Sequence, residues 1–243
     1  MTLTHRVVVG FFRGLTSLLC RIDDQQLARV PARGPLLIVT NHVNILEIPT
    51  VYARLQPRPV TGFVAAKRWD RAWSRWLLDV CGAIPVRRGE PDIAALRKGI
   101  DLLEAGHIVV IAPEGTRSGH GHLQKAHPGA VLLALHSGAP LLPLAFSGSE
   151  GWRDNLRRLQ RTDFHIVVGR PFYLDAGGVK VTRQIRRQMI DEVMYQLAAL
   201  LPPAYRGIYS DLDAATERYL AFREGSGSMD LTSSGTQGTT RRV

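Results

Sequence analysis

The sequence predicts a single α/β domain with a mixed, largely parallel sheet flanked by helices. Short continuous apolar runs alternate along the chain with longer stretches that have helical periodicity. Uninterrupted apolar runs of about four to eight residues are typical of strands covered on both faces, as in a parallel sheet. Polar and charged residues follow several of these runs directly, at the position where open α/β sheets carry their active sites.

The length and composition of the chain fit one such domain between two different ends. With 243 residues and 45% hydrophobic residues, one sizeable core can be filled. We expect an apolar N-terminal helix in residues 1–21, the α/β domain in residues 22–223 and a disordered tail in residues 224–243. The tail is mainly Gly, Ser and Thr, and such a composition cannot bury enough surface to stay ordered.

The charge of the chain predicts an anionic partner. Lys and Arg outnumber Asp and Glu by 31 to 21, which gives a formal net charge of +10. We expect an acidic membrane surface and phosphorylated ligands, and no nucleic acid, because no nucleic-acid-binding module is recognisable and arginine is spread among tryptophans. Cys20 and Cys81 are too few for a disulfide framework, so we expect the reducing, cytoplasmic face of a membrane.

The first helical stretch, residues 6–20, is apolar but contains Arg13 and two glycines. Its apolar length is below the ~20 residues that a transmembrane helix needs. No small-residue cleavage site of a signal peptide follows it. Two placements are open: an interfacial helix that lies on the bilayer, or a first helix docked on the core.

The first predicted strand, Leu36–Val39, leads directly to His42. His42 and Glu47 are five residues apart, and on one regular helix their side chains would point about 140° apart. They can meet if His42 lies in the turn and Glu47 in the first turn of the next helix. Glu47 would then accept the Nδ1 proton of His42 and leave Nε2 as a general base. The alternative is a capping histidine beside a solvated glutamate.

Two further strands end in basic residues. Pro59–Ala66 is followed by Lys67, and a lysine that opens a helix opposes the helix dipole, which favours a ligand role over a surface role. Gly82–Val86 is followed by Arg87 and Arg88. An arginine there can bind phosphate bidentately, which lysine cannot do, although a solvated basic turn is an alternative for Arg87.

The stretch Arg68–Val80 is predicted as one helix with Trp69, Trp73 and Trp76 on one face and arginines on another. The tryptophans fit either a core or acyl-channel wall or contact with a bilayer. An amphipathic helix over 91–105, with Gly106 as its C-cap, is expected next.

A strand beginning at Ile108 delivers Pro113-Glu114-Gly115-Thr116-Arg117 to the same crevice, and Gly115 lets the backbone approach a ligand closely. The loop that follows contains histidines, but no carboxylate or cysteine completes a ligand set at a familiar spacing, so no metal is expected. These histidines are His120, His122 and His127.

Several familiar catalytic motifs are missing from the sequence, and the elements not yet described continue the alternation of helices and strands. The sequence contains no Walker phosphate loop, no Gly-x-Ser-x-Gly elbow and no His-Glu-x-x-His, which removes the NTPase, serine-hydrolase and zinc-protease classes. The predicted elements are a helix over Ala130–Ser137, strands over Leu141–Phe146 and Asp163–Tyr173, and a helix over Val181–Leu201 with arginines outward.

Four of these stretches together resemble the glycerolipid acyltransferases of the 1-acylglycerol-3-phosphate (lysophosphatidic acid) acyltransferase type. His-x4-Asp and Gly-x-Ile-x-Val-x-Arg of that family are similar to His42-x4-Glu47 and Gly82–Arg88. Phe-Pro-Glu-Gly-Thr-Arg and a hydrophobic run ending in proline are similar to Pro113–Arg117 and Ala139–Leu144. Glu stands at position 47 where the family usually has Asp, and Asn44 stands where Ser is common.

The resemblance implies transfer of a fatty acyl group from acyl-CoA or acyl-carrier protein to a hydroxyl of a lysophosphatidic acid-like lipid. His42 would be the catalytic base and Glu47 its partner, with no cofactor and no covalent enzyme intermediate. Peripheral or monotopic attachment to the cytoplasmic face of a membrane is expected. A different lipid acceptor, or a non-catalytic protein that binds anionic lipid, is the alternative. The implied substrate-binding residues are Lys67, Arg88, Glu114, Gly115, Thr116 and Arg117.

Overall fold

A seven-stranded mixed sheet forms the centre of the molecule, as predicted, in a computed structural model that describes residues 2–222. The tail predicted for residues 224–243 lies outside these residues. In space the strands follow the order β1-β7-β6-β2-β5-β3-β4. In chain order they are β1 (Cys20–Asp23), β2 (Leu36–Thr40), β3 (Val60–Ala65), β4 (Ile84–Val86), β5 (Ile108–Ile111), β6 (Leu141–Ser147) and β7 (Thr162–Val168).

The direction of the strands decides where polar residues collect. Strands β2 to β6 are mutually parallel where they pair, whereas β7 runs antiparallel to β6 and β1 runs parallel to β7. The carboxyl ends of β2, β3, β4, β5 and β6 therefore lie together at one side of the sheet. This side is called here the catalytic edge, because the predicted catalytic residues follow β2. Every predicted site residue follows one of these strands, so the topology brings them to the same side of the molecule.

Seven α-helices within the described residues surround the sheet, and a two-stranded ribbon formed by β8 (Tyr173–Leu174) and β9 (Leu220–Ala221) lies beside it. Alternate residues of β2 face opposite layers: Leu37 and Val39 pack with helices α5 (Gly129–Ser137) and α7 (Arg183–Ala199), while Leu36 and Ile38 pack with helix α2 (Glu47–Arg54). Both layers are apolar, which explains why this strand is an unbroken hydrophobic run. The helices are α1 (Leu3–Leu19), α2 (Glu47–Arg54), α3 (Ala72–Val80), α4 (Ile93–Glu104), α5 (Gly129–Ser137), α6 (Trp152–Arg157) and α7 (Arg183–Ala199).

Of the two placements that the sequence left open for helix α1, docking on the core is confirmed, and contact with a bilayer stays a prediction. One face packs on α2, with Val8 and Thr16 buried. The other face leaves an apolar stripe in solvent, because its side chains recur every three or four residues. No helix among the described residues is both long and apolar enough to cross a bilayer. The stripe consists of Leu3, Val7, Phe11, Leu15 and Leu18.

The prediction of one helix over Arg68–Val80 is wrong. A 3-10 helix, Ala66–Asp70, is separated from α3 by Arg71 in extended conformation (φ −103°, ψ 129°). The Ser74 hydroxyl donates to the carbonyl oxygen of Arg68 at 2.5 Å and Arg75 Nε to that of Trp69 at 3.0 Å, so carbonyls that a continuous helix would use are satisfied by side chains.

The break separates the tryptophans as well. Trp69 turns back and donates from Nε1 to Asp79 Oδ1 at 2.9 Å. Trp73 and Trp76 are 65% and 54% exposed, which contradicts their placement in a core or channel wall.

Two other predictions, the length of a strand and the orientation of an arginine, are wrong. The strand predicted over Asp163–Tyr173 ends at Val168, and Gly169 after it packs so closely against Pro143 that an added Cβ would lie 2.7 Å from the proline ring. Pro171 then removes a ladder donor before β8. In α7, Arg187 does not point outward as predicted but donates to the carbonyl oxygen of Ala126 at 2.8 Å.

Candidate active site

His42 and Glu47 meet in the geometry that their spacing predicted. His42 lies in the turn after β2, and Glu47 is the first residue of α2. The distance from His42 Nδ1 to Glu47 Oε2 is 2.6 Å. Because Glu47 also accepts backbone N–H groups, its oxygens act as acceptors and Nδ1 carries the proton. The Glu47 side chain is fully buried and that of His42 is 14% exposed. The alternative of a solvated glutamate is thereby excluded.

The turn between the two residues is built around the Glu47 carboxylate. Val43 N donates to both oxygens at 3.1 Å, and Asn44 N donates to Oε1 at 2.8 Å. The carboxylate also lies at the N-terminus of α2, where the helix dipole favours negative charge. The Glu47 side chain thus closes the turn before α2 and holds His42 Nδ1. The other ring nitrogen, His42 Nε2, has no hydrogen bond to any described residue.

Asn41 ties the end of β2 to the neighbouring strand β6. Its Nδ2 donates to the carbonyl oxygen of Phe146 at 2.9 Å, and its Oδ1 accepts the Phe146 N–H at 2.8 Å. Asn41 is 1% exposed, so both bonds replace solvation that burial has removed. These two hydrogen bonds extend the pairing of β2 with β6 by one residue. They fix Asn41, which immediately precedes His42.

Glu114 lies behind the crevice, where both of its oxygens accept backbone N–H groups. Oε1 accepts from His42 N at 3.2 Å, and Oε2 accepts from Gln124 N at 3.0 Å. Burial raises the pKa of this carboxyl to about 7, the two N–H donors oppose the rise, and the nearby Glu47 adds to it. Glu114 therefore connects β5, the His42 turn and the following loop, and its predicted contact with substrate stays a prediction.

The histidine-containing loop covers the same edge. Ser118 N donates to the carbonyl oxygen of His42 at 2.8 Å, and His122 N donates to His120 Nδ1 at 3.1 Å. Gly115 adopts a left-handed conformation (φ +69°), and an added Cβ there would touch the His127 ring at 3.4 Å. No group of three or more potential metal ligands is assembled within residues 2–222.

Two predicted phosphate ligands, Arg88 and Arg117, form a group of exposed cations with Arg68 at adjacent strand ends. Arg88 follows β4 and Arg117 follows β5, and the 3-10 helix after β3 contributes Arg68. The pKa of Arg88 is lowered by partial burial and further by the positive charges of Arg117 and Arg68. None of the ion pairs formed within the described chain engages these three arginines. We call Arg68, Arg88 and Arg117 the arginine cluster.

Other predicted ligands differ in their surroundings. Lys67 and Thr116 are exposed at the catalytic edge. Arg87, by contrast, is paired with Glu90 at 3.3 Å and with Asp92 at 3.6 Å. The alternative of a solvated basic turn therefore holds for Arg87, whose side chain is 65% exposed.

Three neighbours of the site were not singled out as site residues from sequence. Asn44 Nδ2 donates to Ser149 Oγ at 2.8 Å, and Arg68 lies beside Arg88. The position of Arg68 immediately after Lys67 was a usable signal. Nothing local in the sequence connects Asn44 with Ser149, which is 105 residues away.

Comparison with known proteins supports the fold and the family. The family model "Acyltransferase" matches residues 21–147, more than half of the chain. The chain is 27% identical over 167 residues to a chloroplastic 1-acyl-sn-glycerol-3-phosphate acyltransferase of Brassica napus, covering 63% of this chain and 45% of that protein. It is 26% identical over 144 residues to a 1-acyl-sn-glycerol-3-phosphate acyltransferase of Bacillus subtilis, covering 59% of this chain and 70% of that one.

A solved structure has the same fold. The 1-acyl-sn-glycerophosphate acyltransferase PlsC of Thermotoga maritima superposes with a TM-score of 0.57 at 18% identity, over 78% of this chain and 76% of that one. The family match includes His42, Glu47, Arg88 and Glu114, which the structure gathers at the catalytic edge. On the evidence of this match, the chain belongs to the acyltransferase family.

Proposed function

We propose that this protein is an O-acyltransferase of phospholipid biosynthesis that acylates a free hydroxyl of a lysophosphatidic acid-like lipid. The observation that carries the proposal is the short contact between His42 Nδ1 and Glu47 Oε2, with Nε2 left available, at the same sheet edge as the arginine cluster. The His42–Glu47 pair supplies a base for a hydroxyl, and the arginine cluster supplies uncompensated positive charge for a phosphate. The names of the matched relatives support the same activity.

In the proposed reaction, His42 Nε2 removes the proton of the acceptor hydroxyl as its oxygen attacks the carbonyl carbon of an acyl thioester. The new C–O bond forms a tetrahedral intermediate, which collapses as the C–S bond breaks. The imidazolium then gives its proton to the departing thiolate. Glu47 stabilises the imidazolium in between and keeps Nε2 facing the acceptor. Thiolate leaves readily, so the reaction proceeds without attack by a protein nucleophile.

Thiol release from an acyl thioester tests this function directly. Release is measured with acyl-CoA and with acyl-carrier protein, each alone and after addition of lysophosphatidic acid, glycerol 3-phosphate or lysophosphatidylcholine. We expect release that depends on an acceptor and is fastest with lysophosphatidic acid, because it alone of the three acceptors combines an acyl chain with a phosphate monoester, which presents two charges to the arginine cluster. If no acceptor stimulates release while the protein still binds anionic vesicles, the alternative of a non-catalytic lipid-binding protein is correct.

Arg88 and Arg117 are expected to act on the acceptor more than on the donor. Replacing either by Lys keeps the charge but removes the bidentate fork. Loss of one charge-assisted hydrogen bond, about 1.5–3 kcal/mol, should raise the KM for lysophosphatidic acid roughly tenfold or more. The KM for the acyl thioester should change little.

Arg87→Lys is the matched control for this experiment. It lies next to Arg88 and carries the same charge, but it pairs with Glu90 and Asp92. We expect its acceptor KM to equal that of the wild type. Equal increases in both KM values, or the same effect from Arg87→Lys, would show that the arginine fork at position 88 or 117 is structural.

We further propose that the protein docks on an anionic bilayer as a monotopic protein. The apolar stripe of α1, Trp73 and Trp76 of α3, and Ile45 and Ile48 beside the His42 turn are exposed. Helix α1 packs on α2 and touches α3, so these side chains come from contiguous elements. Exposed arginines of the 68–75 segment and the formal charge of +10 favour acidic headgroups.

Removing two indoles should weaken membrane binding. The variant Trp73→Ala/Trp76→Ala loses two half-exposed aromatic side chains, and we expect roughly tenfold weaker partitioning into phosphatidylglycerol-containing vesicles in a flotation assay. Ile93→Ala/Ile208→Ala is the control, because these side chains are similarly exposed (63% and 60%) but lie on other elements. Equal weakening by both double variants would contradict docking through α3.

A further inference from the structure

We propose that Asn44 is a positioning residue for the acyl-transfer reaction. Its side chain binds Ser149 and thereby fixes the turn in which His42 contacts Glu47. The inference rests on the proposed function, because it assigns how the His42–Glu47 pair is kept in register. Asn44 is not expected to touch either substrate.

The Asn44 side chain bonds in two directions. Its Nδ2 donates to the Ser149 carbonyl oxygen at 2.9 Å and to Ser149 Oγ at 2.8 Å. Its Oδ1 accepts the Leu46 N–H at 2.9 Å, which closes the turn just before α2 begins. An amide is the side chain that fits here, because one end donates and the other accepts.

Asn44 also contacts Glu47 through its backbone. Asn44 N donates to Glu47 Oε1 at 2.8 Å, the shortest backbone bond to this carboxylate. A shift of Asn44 would therefore move the Glu47 carboxylate, whose other oxygen is bonded to His42 Nδ1. The path from Ser149 to the imidazole consists of three consecutive hydrogen-bonded contacts.

Burial raises the free-energy cost of breaking these hydrogen bonds. Asn44 is 8% exposed, and Ser149 and Glu47 are completely buried. A buried amide without its partners costs about 1–3 kcal/mol, so the clamp resists opening. Ser149 follows β6, the strand beside β2, and Asn41 makes a second connection to β6 at Phe146. The His42 turn is thus held at one end to β6 and at the other end to the segment that directly follows β6.

Three replacements test the clamp through the rate of thiol release. Asn44→Ala removes both arms, whereas Asn44→Ser keeps a short acceptor near Leu46 N but cannot reach Ser149. Misplacement of a reacting group by about 1 Å can cost ~10²-fold, so we expect both variants to lose at least about tenfold in kcat. The acceptor KM should stay unchanged. Ser149→Ala should lose less, because the Ser149 carbonyl still accepts.

A double-mutant cycle separates positioning from general loss of stability. If Asn44 and Ser149 act through their mutual contact, Ser149→Ala should have no further effect on kcat in the Asn44→Ala background. Asn155→Ser is the control: Asn155 Nδ2 donates to Thr162 Oγ1 at 3.2 Å, a similar amide-to-hydroxyl bond away from the His42 turn. We expect its thiol release to equal that of the wild type.

Proton NMR supplies a readout that does not depend on activity. A ring N–H in a short bond to a carboxylate gives a far-downfield resonance, which should be present in the wild type and absent in His42→Ala. Asn44→Ala should shift or broaden it. If the wild type releases no thiol with any acceptor, the proposed function fails and this resonance still tests Asn44. If Asn44→Ala retains both the resonance and wild-type kcat, the inference is wrong.

Discussion

Replacing His42 by alanine is expected to lower acceptor-dependent thiol release by at least about 10²-fold, the usual contribution of a general base. The structure gives the physical reason: Nδ1 is held by Glu47 at 2.6 Å, and Nε2 has no bond to a described residue. The variant should fold, because the buried Glu47 carboxylate keeps its bonds from Val43 N and Asn44 N. Steady-state kinetics and a thermal unfolding curve on the same preparation check both parts.

His107→Ala is the control for this measurement. His107 immediately precedes β5, at the edge of the sheet opposite to the catalytic edge. Its removal should leave thiol release unchanged. Wild-type release by His42→Ala would remove the general-base mechanism, whereas low release combined with a large drop in unfolding temperature would assign His42 a structural role.

The parts of the fold that were predictable are those in which local sequence agrees with the environment. Strands β2, β5 and β6 are continuous apolar runs because both of their faces are covered. Strand β1 was missed, since Cys20–Asp23 alternates apolar and charged residues at an edge with one neighbour, β7. The break at Arg71 was missed because side chains of α3, not a Pro or Gly, satisfy the carbonyls of the preceding turn.

The contact between His42 and Glu47 could be predicted from sequence, whereas the hydrogen bonds that hold these two residues in place could not. The contact of His42 with Glu47 follows from five-residue spacing across a strand–helix boundary, which sequence shows. The bonds of Glu114 to His42 N and Gln124 N, and of Asn44 to Ser149, depend on strand order. Strand order is set by long-range packing. The proposed reacting groups can therefore be named from sequence more readily than the residues that position them.

Replacing Glu47 by aspartate or by glutamine is expected to reduce thiol release strongly, for two different reasons. Aspartate is shorter by one methylene, about 1.5 Å, so it cannot bond His42 Nδ1 while also reaching the Val43 and Asn44 amides; a misplacement of this size can cost ~10²-fold. Glutamine keeps the reach but presents an amide N–H to groups that are all donors, and it loses the charge that stabilises the imidazolium.

The contrast between the two variants shows which property of Glu47 matters. We expect both to fall well below the wild type, with unfolding temperatures lowered modestly because a fully buried group loses partners. Greater activity of Glu47→Asp than of the wild type would mean that the turn relaxes to meet the shorter side chain, which the clamp at Asn44 should prevent. Unchanged release in both variants would mean that the 2.6 Å contact orients His42 without contributing to the reaction, and the general-base mechanism would need another partner for the imidazolium.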